Sequence, residues 1–365
     1  MIIGIPAEVK FHEGRVSCVP GSVRELVALG HSVFVQAGAG EKSGFSDAEY
    51  IKSGATVLPT AKDVWTRAEM IIKVKEPVES EYDLIQENQI LYTYLHLAAV
   101  PGLVPVLIKK NVTAIAYETI QMLDGSLPLL QPMSQVAGKM SVQIGASLLE
   151  CGHGGKGLLL GGVPGVRRGR VTILGGGVVG TSAAKVAIGM GAEVSIIDKS
   201  LKRLEYLEDI FGSRANFIYS TADAIRSNVR RCDLLIGAVL VPGARAPHLV
   251  TRDMVAQMEA GSVIVDVAVD QGGCVETIHG TTHENPTYVV DGVVHYGVTN
   301  MPGAVARTST LALNSATLEY AKHIAQHGVE ACRKNSALLL GLNVYQGKMR
   351  HPVVARDLGY EYVAL

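Results

Sequence analysis

The run Arg170-Val171-Thr172-Ile173-Leu174-Gly175-Gly176-Gly177-Val178-Val179-Gly180 sets an apolar, strand-like segment directly before three glycines, and a helical stretch from Thr181 to Met190 follows it. A buried strand that turns at once into a helix leaves little steric room. Gly175 permits the turn, Gly177 lets a ligand come up against the backbone, and Gly180 lets the helix lie on the strand. A helix opening at Val178 and Val179 aims unpaired N–H groups and its positive dipole end at the bound group, which suits a phosphate. The next apolar run, Val194-Ser195-Ile196-Ile197, ends on Asp198, 18 residues beyond Gly180. A carboxylate there takes both hydroxyls of an adenosine ribose and repels a 2′-phosphate, so the pattern predicts a dinucleotide pocket that favours NAD over NADP. Lys199 and Arg203 close by keep NADP open as the second reading. Spacing alone is weak in a chain with 40 glycines among 365 residues; the strand, the helix and the acid around it carry the assignment.

A chain of this length exceeds the roughly 250 to 300 residues that one core fills, so two domains are expected. The net charge of −1, with no block of Lys or Arg longer than a pair, speaks against nucleic acid and anionic membranes and for a small-molecule partner. The opening Met1-Ile2-Ile3-Gly4-Ile5-Pro6-Ala7-Glu8 has no charged leader, and no apolar stretch approaches the roughly 18 residues of a membrane span, so a soluble, unprocessed chain is expected. Cys18, Cys151, Cys232, Cys274 and Cys332 are odd in number, scattered and without a CxxC pair, which predicts reduced thiols in a cytoplasm and no structural zinc.

Periodicity predicts strands at 2–5, 33–35, 56–58, 70–74, 90–95 and 113–117 in the first third. Beyond the glycine run it predicts strands at 171–174, 194–197, 216–219, 234–237, 263–267 and 293–296. Pro20 to Leu29 reads as a helix, with Pro at its start and Gly30 just past its end. Long helices are predicted from about Ser134 to Cys151 and from about Ala304 to His327, and 336–365 reads as closing helices. The expected architecture is α/β, with two doubly wound Rossmann-like domains joined by two long helices. The first, discontinuous, comprises 1–132 plus 306–365 and holds substrate; the second, 133–305, holds NAD. A cleft hinged on those helices would close on its ligands and expel water.

Ligands of open parallel sheets sit beyond the carboxyl ends of the strands, so polar residues there matter most. Arg15 follows the first strand, Lys75 ends Lys73-Val74-Lys75-Glu76-Pro77, His96 ends Tyr92-Thr93-Tyr94-Leu95-His96-Leu97, and Asp270 follows Val265-Asp266-Val267. Taken singly, each has a bland reading: a surface arginine, a solvated lysine, a core imidazole, a turn-capping aspartate.

Together, and in this order, they resemble the alanine dehydrogenase family. The resemblance rests on Lys73 to Pro77, Tyr94 to Ala98, Pro132 to Met140, Leu160 to Val166, Ile173 to Gly180, Asp266 to Cys274, and Tyr296-Gly297-Val298-Thr299-Asn300-Met301-Pro302-Gly303, and so covers essentially the whole chain. It implies reversible oxidation of L-alanine with NAD and water to pyruvate, ammonium and NADH, in a homohexamer. It further implies that Arg15 holds the substrate carboxylate, Lys75 bonds the carbonyl oxygen, and His96 and Asp270 are the two acid/base groups. The cofactor positions it implies are Ser134, Val178, Val179, Asp198, Arg203, Ser220, Val239, Leu240, Val267, Asp270, Asn300 and Met301, beside the glycines. No metal is called for, because the nicotinamide carries the hydride. Departures from the family pattern fall at Val16-Ser17-Cys18-Val19-Pro20-Gly21, Gln135 and Lys139. His323 and His327, four apart, read as an exposed pair and not as metal ligands. Two rival readings are the soluble nucleotide-binding part of a transhydrogenase and a non-catalytic NAD-binding sensor.

Overall fold

Runs such as Met70-Ile71-Ile72 and Val263-Ile264-Val265 carry apolar side chains to both faces, as a strand covered by helices on either side requires, and all six residues are buried. The computed structural model describes residues 1–239 and 247–365. Its strands, along the chain, are β1 (Ile2–Ile5), β2 (Ser32–Gln36), β3 (Thr56–Leu58), β4 (Met70–Ile72), β5 (Ile90–Thr93), β6 (Thr113–Ala116), β7 (Arg170–Leu174), β8 (Glu193–Asp198), β9 (Ala215–Tyr219), β10 (Leu234–Gly237), β11 (Val263–Asp266), β12 (Thr287–Val290), β13 (Val293–Tyr296), β14 (Leu342–Tyr345) and β15 (Lys348–Met349). Every strand predicted from sequence is present, with ends moved by a residue or two.

Two compact units result, Met1–Met133 with Gly303–Leu365, and Ser134–Pro302. The first contains an eight-stranded sheet in the order β15-β14-β6-β5-β4-β1-β2-β3, in which β1 to β6 pair in parallel. Its core packs Trp65, Leu91, Leu103 and Leu107 against the sheet. The second contains a seven-stranded sheet in the order β12-β13-β11-β10-β7-β8-β9, parallel except for the β12–β13 hairpin, over a core that includes Leu174, Ile197, Leu235 and Ile264. In both sheets the strand order reverses about the first strand of the unit, β1 or β7, which is where doubly wound folds open a crevice.

The reading of 336–365 as helices is corrected in part. Helices Ser336–Gly341 and Pro352–Leu358 flank the β14–β15 hairpin, which adds two antiparallel strands to the edge of the first sheet. Leu342, Val344 and Met349 point into the core, and the turn residues Gln346 and Gly347 both have positive φ, 52° and 65°. That is the backbone of a two-residue hairpin turn with matching twist.

The helix Gln131–Leu148 carries the chain from the first unit into the second, and the chain returns through the 3₁₀ turn Met301–Val305 just ahead of the helix Ala306–His327. Gly138 lets Gln131–Leu148 meet the helix Val178–Gly189 closely, since a Cβ there would lie 2.2 Å from the Val179 carbonyl oxygen. Among the described residues, no helix is long and apolar enough to cross a membrane.

Candidate functional site

In the first unit, the loops that leave β1, β4 and β5 at their carboxyl ends carry Arg15, Lys75 and His96 respectively. Arg15 is buried, 3 % exposed. Its Nε and Nη2 donate to the two oxygens of Glu13 at 2.6 and 2.5 Å, a parallel fork that fixes the plane of the guanidinium, and Nη1 lies 3.1 Å from Met133 Sδ. Burial works against the charge of Arg15, but the bonds and charge of Glu13 more than offset it and hold the pKa above its ordinary value.

The two lysines of Lys73-Val74-Lys75 have different surroundings. Lys73 is fully buried, 2.7 Å from Glu81 and 3.5 Å from Glu8, so its ammonium is held within the fold. Burial lowers its pKa and the two carboxylates raise it further than burial lowers it. The same Glu8 accepts the backbone N–H groups of Val74 at 2.6 Å and Lys75 at 3.3 Å, while the Lys75 carbonyl accepts from Thr93 Oγ1 at 3.0 Å. The Lys75 backbone is thereby fixed, and its ammonium has no hydrogen-bond partner among the described residues. Burial first, then the nearby Arg15 charge, pushes its pKa down. A half-buried ammonium with donors to spare is suited to a ligand oxygen.

His96 sits with φ at +46°, in the left-handed region, where a histidine needs external support. Glu118, just past β6, supplies it by accepting the N–H of His96 at 2.6 Å and that of Leu95 at 3.1 Å. Tyr94 packs edge-on to Tyr117 and donates its hydroxyl to the Leu129 carbonyl at 2.6 Å, and burial keeps its phenol protonated by raising its pKa. Sequence reasoning did not assign roles to Glu8, Glu13, Glu76 or Glu118. For Glu13 a signal existed, an acid two residues before the arginine in a loop.

In the second unit the three glycines of the fingerprint behave differently from one another. Gly175 has φ of 96°, and a Cβ there would come within 2.7 Å of the Ala238 carbonyl oxygen. A Cβ on Gly180 would lie 1.9 Å from the Gly175 carbonyl oxygen, so no side chain fits between loop and helix. At Gly177, the N-cap of Val178–Gly189, a Cβ would meet nothing within 4 Å. The backbone therefore faces open room at the N-terminus of a 12-residue helix whose first N–H groups have no side-chain cap. This geometry fits a pyrophosphate.

Asp198, at the end of β8, accepts Gly176 N–H at 2.7 Å and Ser200 N–H at 2.8 Å, one on each oxygen. Each oxygen retains a lone pair for a ribose hydroxyl. Arg203 is engaged with the loop itself: Nε donates to the Gly176 carbonyl at 2.6 Å, Nη2 to Thr181 Oγ1 at 2.8 Å, and the guanidinium lies 4.7 Å from the Tyr206 ring centre. Ser220 donates its N–H to the Asp198 carbonyl, and Val267 donates to Gly237, so both lie at the carboxyl edge of the sheet. Val239 follows β10 there and is half-buried; Leu240 lies outside the described residues. Ser134 is half-buried near the start of its helix, Met301 is buried, and Asn300 has φ of 59° with its carbonyl 3.3 Å from His283 Nε2.

Asp270 is exposed in the 3₁₀ turn Val269–Gln271. The shape of its loop comes from the fully buried Asp266, which accepts the N–H groups of Ala268, Cys274 and Val275 at 2.9, 2.7 and 3.1 Å. Burial raises the Asp266 pKa, and those three N–H groups oppose the rise. Asp270 belongs to the second unit; Arg15, Lys75 and His96 belong to the first. His323 and His327 are exposed with ring centres 6.2 Å apart, and no group of three or more metal-ligating side chains occurs among the described residues.

Known proteins resemble the chain over nearly its whole length. A family model described as alanine dehydrogenase/PNT, N-terminal domain, matches residues 4–137, and one described as alanine dehydrogenase/PNT, C-terminal domain, matches residues 141–352. An alanine dehydrogenase of Bacillus subtilis is 56 % identical over 366 residues, covering 100 % of this chain and 96 % of that one. A solved structure titled L-alanine dehydrogenase superposes with a TM-score of 0.96 at 56 % identity, covering 98 % of this chain and 99 % of that one. A transhydrogenase structure from Sinorhizobium meliloti superposes with a TM-score of 0.83 at 27 % identity, covering 96 % and 99 % of the two chains.

Proposed function

The chain belongs to the alanine dehydrogenase/PNT family, and from that premise we propose that it interconverts L-alanine with pyruvate and ammonium, using NAD as its nicotinamide cofactor. The observation that carries this reading is the gathering of a plane-locked Arg15, a Lys75 with unused donors and His96 at the carboxyl ends of β1, β4 and β5. These are the groups a short 2-oxo acid needs. Arg15 binds the substrate carboxylate, oriented by Glu13. Lys75 donates to the carbonyl oxygen and meets the negative charge that grows on it. His96 takes the proton released on oxidation and returns it on reduction, a contribution of roughly 10² to 10⁴ in rate. Asp270 is the second acid/base, acting on water and ammonia as the imine and carbinolamine interconvert.

The nicotinamide, when bound, takes up or gives the hydride. Gly177 and the open helix N-terminus receive its pyrophosphate, Asp198 holds the adenosine ribose, and Ser134, Ser220, Val239, Leu240, Val267, Asn300 and Met301 line the remainder. The engagement of Arg203 with Gly176 and Thr181 supports NAD over NADP, since two of its donors already serve the loop. By family likeness the chain assembles as a homohexamer and works in the cytoplasm.

A transhydrogenase has the same two-domain build, but identity of 56 % to alanine dehydrogenase against 27 % to the transhydrogenase favours the amino-acid reaction. The assay that separates them is NADH oxidation by pyruvate with and without ammonium. Strict dependence on ammonium is expected. Turnover without it, or with a second nucleotide replacing pyruvate, overturns the reading.

A further inference from the structure

Two buried polar atoms of the first unit that have no hydrogen-bond partner among the described residues face each other. They are His96 Nδ1 and Glu76 Oε2, shut off from solvent and 3.6 Å apart. The imidazole as a whole is 38 % exposed, so its accessible part is the edge away from Nδ1. The other oxygen of Glu76 is held by an ion pair with Lys10, which fixes the carboxylate where it stands. The backbone of His96 is held independently by Glu118. Thus one carboxylate secures the loop and a second faces the ring. Buried polar groups are rarely left unpaired, and a shift of well under an ångström closes this contact to hydrogen-bond distance.

We propose that Glu76 is the positioning residue for His96, accepting the Nδ1–H of the imidazole and so fixing the tautomer in which Nε2 exchanges protons with substrate. A neutral imidazole has one donor and one acceptor nitrogen, and a carboxylate only accepts, so the nitrogen facing Glu76 must carry the hydrogen. Nε2, on the open edge, then holds the lone pair. In alanine oxidation Nε2 takes up a proton, and in reductive amination it gives that proton back. Nδ1 keeps its hydrogen throughout, and Glu76 does not change protonation.

This inference rests on the acid/base role of His96, and a double-mutant cycle tests the two separately. Glu76→Ala is expected to lower kcat by about 10- to 100-fold, the range typical of lost orienting partners, with KM for pyruvate and affinity for NADH little changed. Glu76→Gln, whose amide oxygen still accepts from Nδ1–H, is expected to recover most of the rate. In the His96→Ala background, Glu76→Ala is expected to have no further effect, because its partner is gone. Wild-type kcat in Glu76→Ala, or an equal further loss in the double variant, overturns the positioning role. A near-normal rate in His96→Ala alone overturns instead the role given to His96.

Discussion

Asp198 shows how one side chain serves structure and recognition together. Its two oxygens brace Gly176 and Ser200, and the lone pairs left over are the ones the proposed reading gives to the ribose hydroxyls. Replacement by glycine removes both functions, so KM for either cofactor should rise as the loop loosens. Only the ratio is diagnostic. Loss of one repulsive charge, about 1.4 kcal/mol, should shift kcat/KM for NADP relative to NAD by roughly tenfold toward NADP. An unchanged ratio in steady-state assays would remove Asp198 from the ribose site. Two of the residues missed at this scale, Glu8 and Glu118, share a physical cause. Glu118 reaches the His96 loop from the neighbouring strand, and Glu8 meets Val74 and Lys75 across 66 residues or more of sequence. Such carboxylates act through tertiary pairing, which leaves no local pattern. For Arg15, Lys75 and His96 the sequence gives the place, loops that follow strands, while their roles come from the family resemblance.

At the level of elements, parallel strands were legible because burial on both faces writes an uninterrupted aliphatic run. The β14–β15 hairpin was not, because Asn343 lies among its buried residues and the strands are only four and two residues long. The strand–loop–helix unit at β7 gives a paired prediction. Gly177 has φ of −66°, which any residue adopts, and a methyl group there meets no protein atom. Gly177→Ala should leave the melting temperature nearly unchanged, within about 0.5 kcal/mol, yet weaken NAD binding by about tenfold or more, because the methyl occupies room meant for phosphate. In Gly180→Ala the methyl is forced onto the Gly175 carbonyl, and overpacking of this kind costs about 1 to 3 kcal/mol. Calorimetric titration and thermal unfolding of both variants distinguish the two roles. The reverse outcome, a stable Gly180 variant and an unstable Gly177 variant, would mean the loop is built differently.

On the scale of the whole molecule, the two units put the same topological position to different use. After β7 the chain turns within three glycines, whereas after β1 it runs through a longer charged loop, Pro6 to Val19, that holds Glu8, Lys10, Glu13 and Arg15. The cysteines report on both units. Cys18 and Cys332 are buried in the first and Cys232 and Cys274 in the second, while Cys151 is exposed. Burial pushes the thiols of Cys18, Cys232 and Cys332 up to about 12, and that of Cys274 well up from its ordinary value. Because only the thiolate reacts, a group with pKa near 12 is about 10⁻⁴ ionised at pH 8, and it is also out of reach until its unit opens. One thiol, Cys151, should therefore react at once with a disulfide reagent, and four should react slowly. Where opening and closing are fast relative to labelling, NAD at about 100 times its Kd lowers the open population of the unit that binds it by about 100-fold, equivalent to about 2.7 kcal/mol. Mass spectrometry of timed labelling should show that slowing at Cys232 and Cys274, which lie in the unit with the glycine loop. Rapid labelling of a second cysteine would refute the burial of the four, and labelling at Cys232 and Cys274 that ignores NAD would show that the coenzyme is not bound by the unit that carries Gly177 and Asp198.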